Sequence, residues 1–176
     1  NLPPLEQQPE FLFELPELKF PERMNCATEL LDRHVAEGRG GRVCIQAPNL
    51  RWTYADLQEK ANRIANVLVN DMGLVPGNRV LLSAPNNPML AAAWFGVIKA
   101  GGIAVATMPL LRAMELKPVI AKAQITHALC DLRLATELKL AVAEQPVLQH
   151  IRYFNDPGPD SLEAAMVRQP ATFTNV

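Results

Sequence analysis

Pro76-Gly-Asn-Arg-Val-Leu-Leu82, then Asn87-Pro88 at the head of an apolar stretch to Ile98, then Ile103-Ala-Val-Ala106, decide how this chain reads. Val80-Leu-Leu82 follows the turn Pro76-Gly77-Asn78 without a polar break, as expected of a strand covered on both faces. Asn87-Pro88 opens a helix that is apolar nearly all round, and Ile103 to Ala106 is the next strand. Outward in both directions the period keeps switching. Leu116, Val119, Ile120 and Ala123 mark a helical face, Thr126 to Cys130 a strand, Leu134, Leu138, Ala141 and Val142 another helical face, and Gln149 to Phe154 a further strand. This β-α-β-α-β-α-β order predicts an α/β fold, a mostly parallel doubly wound sheet with helices on both faces, because parallel neighbours need crossover helices.

Upstream, Leu30, Leu31, His34 and Val35 predict a helix that ends at Gly38. Val43 to Ala47 and Arg51-Trp-Thr-Tyr54 predict a short hairpin across Pro48-Asn49. Thr53 with Asp56 three residues on is a capping box, and Leu57, Ala61, Ile64, Ala65 and Leu68 repeat as the buried stripe of the next helix. Before residue 25, Pro3, Pro4, Pro9, Pro16 and Pro21 leave no room for a long helix, so residues 1–24 read as an extended arm. Phe11, Leu12, Phe13 and Phe20 give that arm an apolar side, expected to pack on its own domain or, alternatively, on another one. The division expected is an arm at 1–24, an α/β subdomain at 25–155 and a linker at 156–176. The start at Asn1, with no charged and apolar leader behind it, and the extended close at Pro170 to Val176 read as the marks of an excised piece.

Composition narrows the partners. The 176 residues carry 17 Lys+Arg against 18 Asp+Glu, a formal charge of −1, which offers no basic surface for nucleic acid. Cys26, Cys44 and Cys130 lie far apart without CxxC spacing, which suits reduced thiols and a cytoplasmic setting. The apolar run from Leu90 to Leu111 is interrupted by Lys99 and by Gly101-Gly102, so no membrane span is expected. Glycines at 38, 40 and 41 lead into Val43 where a dinucleotide loop would need another glycine, so a nicotinamide-binding domain lacks its fingerprint. His127 and Cys130 point to opposite faces of a strand and cannot share a metal. His34 and His150 read as structural residues, Asp131 and Asp160 as helix caps, and Lys99 as a cation that complements a helix C-terminus. No G-x-S-x-G occurs, and no catalytic or metal residue is assigned.

Trp52-Thr-Tyr-Ala-Asp-Leu57 resembles the L-T-Y-x-E-L motif of the adenylate-forming superfamily of acyl- and aryl-CoA synthetases. Ala61-Asn-Arg63, Gly77-Asn-Arg-Val80, Pro85-Asn-Asn-Pro88 and Val97-Ile-Lys-Ala-Gly-Gly102 follow at the superfamily's spacing. Leu74-Val-Pro-Gly-Asn-Arg-Val-Leu-Leu82, Pro85-Asn-Asn-Pro-Met89, Ala106-Thr-Met-Pro-Leu-Leu-Arg112, His127-Ala-Leu-Cys-Asp131 and Phe20-Pro-Glu-Arg-Met-Asn25 resemble the benzoate- and 2-aminobenzoate-CoA ligases. The likeness covers roughly residues 24–155. It implies a parent enzyme that uses ATP, Mg2+ and CoA: an aromatic carboxylate attacks the α-phosphorus, pyrophosphate leaves, and the CoA thiol then displaces AMP. It also implies that the phosphate loop, the ribose-gripping acid and the mobile lysine lie beyond Val176. The chain then resembles only the N-terminal subdomain, inactive and without bound cofactor, with the rest of its own polypeptide as partner and self-association through exposed apolar surface as a further expectation. Arg112 is the one candidate cofactor-binding residue, because in some CoA ligases a basic residue just after this strand touches the phosphates of CoA; the alternative is a solvated arginine at a helix start. A non-catalytic interaction module is the rival reading.

Overall fold

The computed structural model describes residues 4–10 and 12–176. Four strands, β3 (Arg79–Ser83), β4 (Ile103–Thr107), β5 (Ile125–Asp131) and β6 (His150–Phe154), form one parallel sheet in the order β4-β3-β5-β6. A separate antiparallel hairpin pairs β1 (Val43–Ala47) with β2 (Leu50–Thr53) across Pro48-Asn49, where Asn49 takes a positive φ of 60°.

Each crossover is a helix. Thr53 caps α1 (Tyr54–Asn66) in a capping box: the Asp56 amide donates to Thr53 Oγ1 (3.2 Å) and the Thr53 amide donates to Asp56 Oδ2 (2.8 Å). Asn87 caps α2 (Pro88–Lys99), its Oδ1 accepting from the Leu90 amide at 3.0 Å. The connections α3 (Ala113–Ala123) and α4 (Ala135–Val142) carry the chain to β5 and β6. Val80 and Leu82 face one core with α1, α2 and Leu162, whereas Leu81 faces the other with Leu116, Ile120 and Leu138. The uninterrupted apolar strand is thus covered on both sides, as its sequence predicts. On the first face α1 and α2 approach so closely that a Cβ on Gly96 would lie 2.6 Å from Ile64 Cγ2. Gly101 (φ 74°) ends α2 in the left-handed region and releases the chain into β4.

Several expectations are corrected. The described apolar side chains of the arm do not pack on the domain: Leu12 is 67% exposed and Phe20 59%. Prolines hold this segment in short turns, Leu5–Gln7 and Pro16–Leu18, and Phe20 meets Phe13 edge-on at 6.0 Å. Phe11 and Pro3 lie outside the described residues. The helical segment before Gly38 winds in wide π-type turns, Thr28–Asp32 and Val35–Arg39, and Gly38 breaks it at φ 79°. Within residues 156–176 the helix expected to begin at Asp160 is α5 (Leu162–Val167), capped one residue later by Ser161. Leu162, Ala165 and Met166 are buried on α1, and the strip after them is gripped along its backbone: Asn62 Nδ2 donates to the Ala171 carbonyl (2.7 Å) and Asn66 Nδ2 to those of Pro170 (3.1 Å) and Thr172 (2.9 Å).

Candidate functional site

Because β4 and β5 lie on opposite sides of β3, the connections leaving β3 and β5 part company at the carboxyl end of the sheet. In open parallel sheets this divergence opens the crevice where ligands bind. Here its floor is Asp131, the last residue of β5, with no exposed surface. Its carboxylate accepts from Arg133 Nε and Nη2 (both 2.8 Å), the Arg133 amide (3.1 Å), Asn87 Nδ2 (3.2 Å) and Asn155 Nδ2 (2.7 Å). The Arg133 guanidinium, foremost, holds this carboxyl below the ordinary carboxylate range. Asn155 reaches it from a left-handed backbone position (φ 53°) just after β6, and its amide donates to Glu163 of α5 at 2.7 Å. The cluster therefore ties together the loop before α2, the end of β5 and the turn after β6. Every lone pair that Asp131 offers is used, so it is a fastener rather than a free base.

Beside this fastener the loops after β4 and β5 border an open cleft of about 360 Å³ that includes Pro109, Leu111, Arg112, Arg133 and Glu137. Arg112, the residue singled out from the sequence, has a side chain 73% exposed and donates to Glu137 Oε1 at 3.0 Å. The second oxygen of Glu137 accepts the Ala113 amide at the start of α3 (2.9 Å), and that bond, then Arg112, lowers the Glu137 carboxyl below its ordinary range. Two guanidiniums, those of Arg112 and Arg133, thus flank one cleft. A second recess of about 380 Å³ lies between Leu90 and Trp94 of α2 and Ala106 of β4.

The remaining sequence candidates are placed elsewhere. His127 and Cys130 do face opposite cores: His127 meets the Met72 carbonyl (3.0 Å), while Cys130 packs with Leu81 and Leu138, where burial pushes its thiol up to about 12. His34 stacks on Tyr54 with ring centroids 4.4 Å apart. Lys99 closes α2, the helix C-terminus expected of it, but its side chain is 1% exposed and its ammonium sits 2.6 Å from both oxygens of Asp32, a partner the sequence did not show. Among the described residues no group of three or more His, Cys, Asp or Glu side chains is placed to hold a metal ion. The described residues offer neither a Gly-rich cradle for a triphosphate nor a ligand set for Mg2+. No helix among them is long and apolar enough to cross a membrane.

Residues 31–172 match the model of the AMP-binding enzyme family. The chain belongs to that family. The benzoate–CoA ligase of Thauera aromatica is 28% identical over 151 residues, which cover 86% of this chain and 29% of the relative. The salicyl-AMP ligase / salicyl-S-ArCP synthetase of Mycobacterium tuberculosis is 37% identical over 128 residues, 68% of this chain and 22% of the relative. A solved anthranilate CoA ligase in complex with anthranoyl-AMP shares the fold at a TM-score of 0.81 and 22% identity, over 89% of this chain and 30% of that one. The chain therefore spans less than a third of the length of these relatives. Asn155 and Glu137 had escaped sequence reasoning. Neither belongs to a motif, and each acquires its role only from a partner more than twenty residues away.

Proposed function

We propose that this chain is the N-terminal α/β portion of an AMP-forming acid–thiol ligase that joins an aromatic carboxylate of the benzoate or 2-aminobenzoate type to CoA. The observation that carries this reading is the family match over residues 31–172, with similarity to a benzoate–CoA ligase and a salicyl-AMP ligase beside it. In this reading residues 1–24 are an arm, 25–155 the subdomain and 156–176 its connection to the remainder of the polypeptide, which supplies the groups that hold ATP and Mg2+. The setting is the cytoplasm, and the exposed apolar arm favours self-association of the isolated piece. Arg112 contributes a cation for a phosphate of CoA from the cleft it shares with Arg133, since both guanidiniums suit phosphate geometry.

Pyrophosphate exchange with benzoate and 2-aminobenzoate tests the reading. The 176 residues alone are expected to give none, and the polypeptide extended through its complete reading frame is expected to give exchange that depends on one of these acids. Exchange by the isolated chain after repurification overturns the assignment of the missing groups. A reading frame that stops at Val176 favours the interaction module instead.

A further inference from the structure

At the amino end of the sheet, far from the Asp131 fastener, two histidines lie side by side. His127 of β5 and His150 of β6 are register partners, and their rings stack with centroids 4.7 Å apart and planes 22° from parallel. His127 is 3% exposed, while His150 is exposed. Both ring nitrogens of His127 are engaged, Nε2 with the Met72 carbonyl at 3.0 Å and Nδ1 with Thr126 Oγ1 at 2.7 Å. A carbonyl only accepts, so Nε2 carries the hydrogen and Nδ1 of the neutral ring accepts from the Thr126 hydroxyl. Met72 closes the helical run Val67–Asp71 that extends α1, so this single ring joins the end of that run to the interior of the sheet.

We propose that His127, stacked on His150 and anchored on the Met72 carbonyl, is an acid-sensitive latch that holds the edge strand β6 and the end of the first long helix in place while its ring is neutral and loosens them when it takes up a proton. A proton added to Nδ1 reverses the Thr126 bond and puts a cation into a site where, among the described residues, no carboxylate stands to receive it. The charged groups on the surrounding elements are engaged elsewhere. Asp71, beside Met72, accepts from Gln169 Nε2 (2.7 Å), and Arg79, beside Val80 on β3, donates to the Ala123 carbonyl (2.7 Å). Val80, opposite His127 on β3, is apolar, and the titratable side chain that faces His127 is His150. Burial, first, and the neighbouring imidazole both lower the affinity of His127 for a proton, whereas its bond to the Met72 carbonyl opposes them. The unfolded chain therefore binds a proton before the folded one. The latch holds in full above the ordinary histidine range near 6.5 and is lost as pH falls from there through the lowered value of the folded state.

The test uses the 176-residue chain, its His127→Gln and its His150→Gln variants. The side-chain amide introduced by His127→Gln keeps an N–H for the Met72 carbonyl but cannot take up a proton. Long-range 1H–15N spectra are expected to show His127 as the Nε2–H tautomer, titrating below the ordinary range and moving upward in His150→Gln. The urea midpoint of the parent chain is expected to fall between about pH 8 and about pH 5, with the fall cut by at least about half in His127→Gln. Should His127→Gln fail to fold, the His150→Gln titration decides alone. An Nδ1–H tautomer, a His127 midpoint at or above the ordinary range, or an acid response unchanged in both variants overturns the latch.

Discussion

Two charges are buried among the described residues, and they are kept in opposite ways. Asp131, at the carboxyl end of the sheet, is surrounded by donors from three loops, one of which is the solvent-facing Arg133. Lys99, at the end of α2, has one carboxylate, Asp32, which also accepts from Gln58 (2.8 Å) and Asn175 (2.7 Å). The proton affinities reflect the difference. Hydrogen bonds to Arg133 outweigh burial and keep Asp131 ionised, whereas burial outweighs Asp32 and lowers the Lys99 ammonium below the ordinary lysine range. The comparison teaches that the donors around Asp131 can be thinned one at a time, while Lys99 depends on a single carboxylate, with only the Asn175 Oδ1 at 3.3 Å as a further acceptor.

The largest effect expected is therefore at Asp32. Asp32→Ala strands a buried ammonium and should cost about 3–5 kcal/mol in urea unfolding. Adding Lys99→Met to that variant should recover part of the loss, because a stranded charge costs more than its replacement by an apolar chain of similar length. If Asp32→Ala costs less than about 1 kcal/mol, the lysine has a route to water and the contrast with Asp131 fails.

Asp131→Ala comes next, at about 2 kcal/mol, since it removes the acceptor that joins the side-chain amides of Asn87 and Asn155, although Asn87 keeps the Pro85 carbonyl and both Asn155 and Arg133 can turn to solvent. Arg133→Ala should cost much less than Asp131→Ala. The pH window separates this site from Lys99 as well: both shifts are downward and so share a sign, but the Asp131 carboxyl adds stability above its ordinary range near 4 and loses it as pH falls through the folded value, whereas the Lys99 effect lies below the ordinary lysine range. Asp131→Asn is expected to flatten the acid limb of the unfolding curve. An acid limb of unchanged slope in that variant removes Asp131 from the account.

These contacts also show where sequence reasoning stops. The strands and helices between Thr53 and Phe154 were legible because period, cap and turn signals are local: Thr53 and Asp56 lie one turn apart, and Val80-Leu-Leu82 announces two covered faces by itself. The helix Leu162–Val167 was legible only at its start, where Asp160 was read as the cap that Ser161 supplies, because its three buried residues are too short a stripe to declare a period. Lys99 was read by its distance from a helix end because Asp32 lies 67 residues away, and no local pattern records that meeting. The arm erred in the other direction. Apolar content predicted packing, but with prolines fixing the backbone its side chains cannot converge on a core. Around the candidate cleft the sequence singled out Arg112 and read Asp131 and Asn87 as the start of helical turns, but the Arg112 carboxylate partner, Glu137, carried no local signal.

The smallest effect expected belongs to that exposed pair, which extends the comparison to a charge kept in water. Arg112 needs no partner to stay solvated, so its bond to Glu137 exchanges hydration for a contact that salt screens. Arg112→Ala should shift the melting temperature by no more than about 2 °C, and less at high salt. Glu137→Ala should cost more than Arg112→Ala, because Glu137 also accepts the Ala113 amide at the first turn of α3. That order follows from geometry alone: one side chain loses a screened ion pair, while the other loses the same pair and a helix cap. Equal shifts would mean that the cap contributes nothing. A larger shift for Arg112→Ala would place this arginine in the structural framework, leaving its guanidinium unavailable to a phosphate in the cleft.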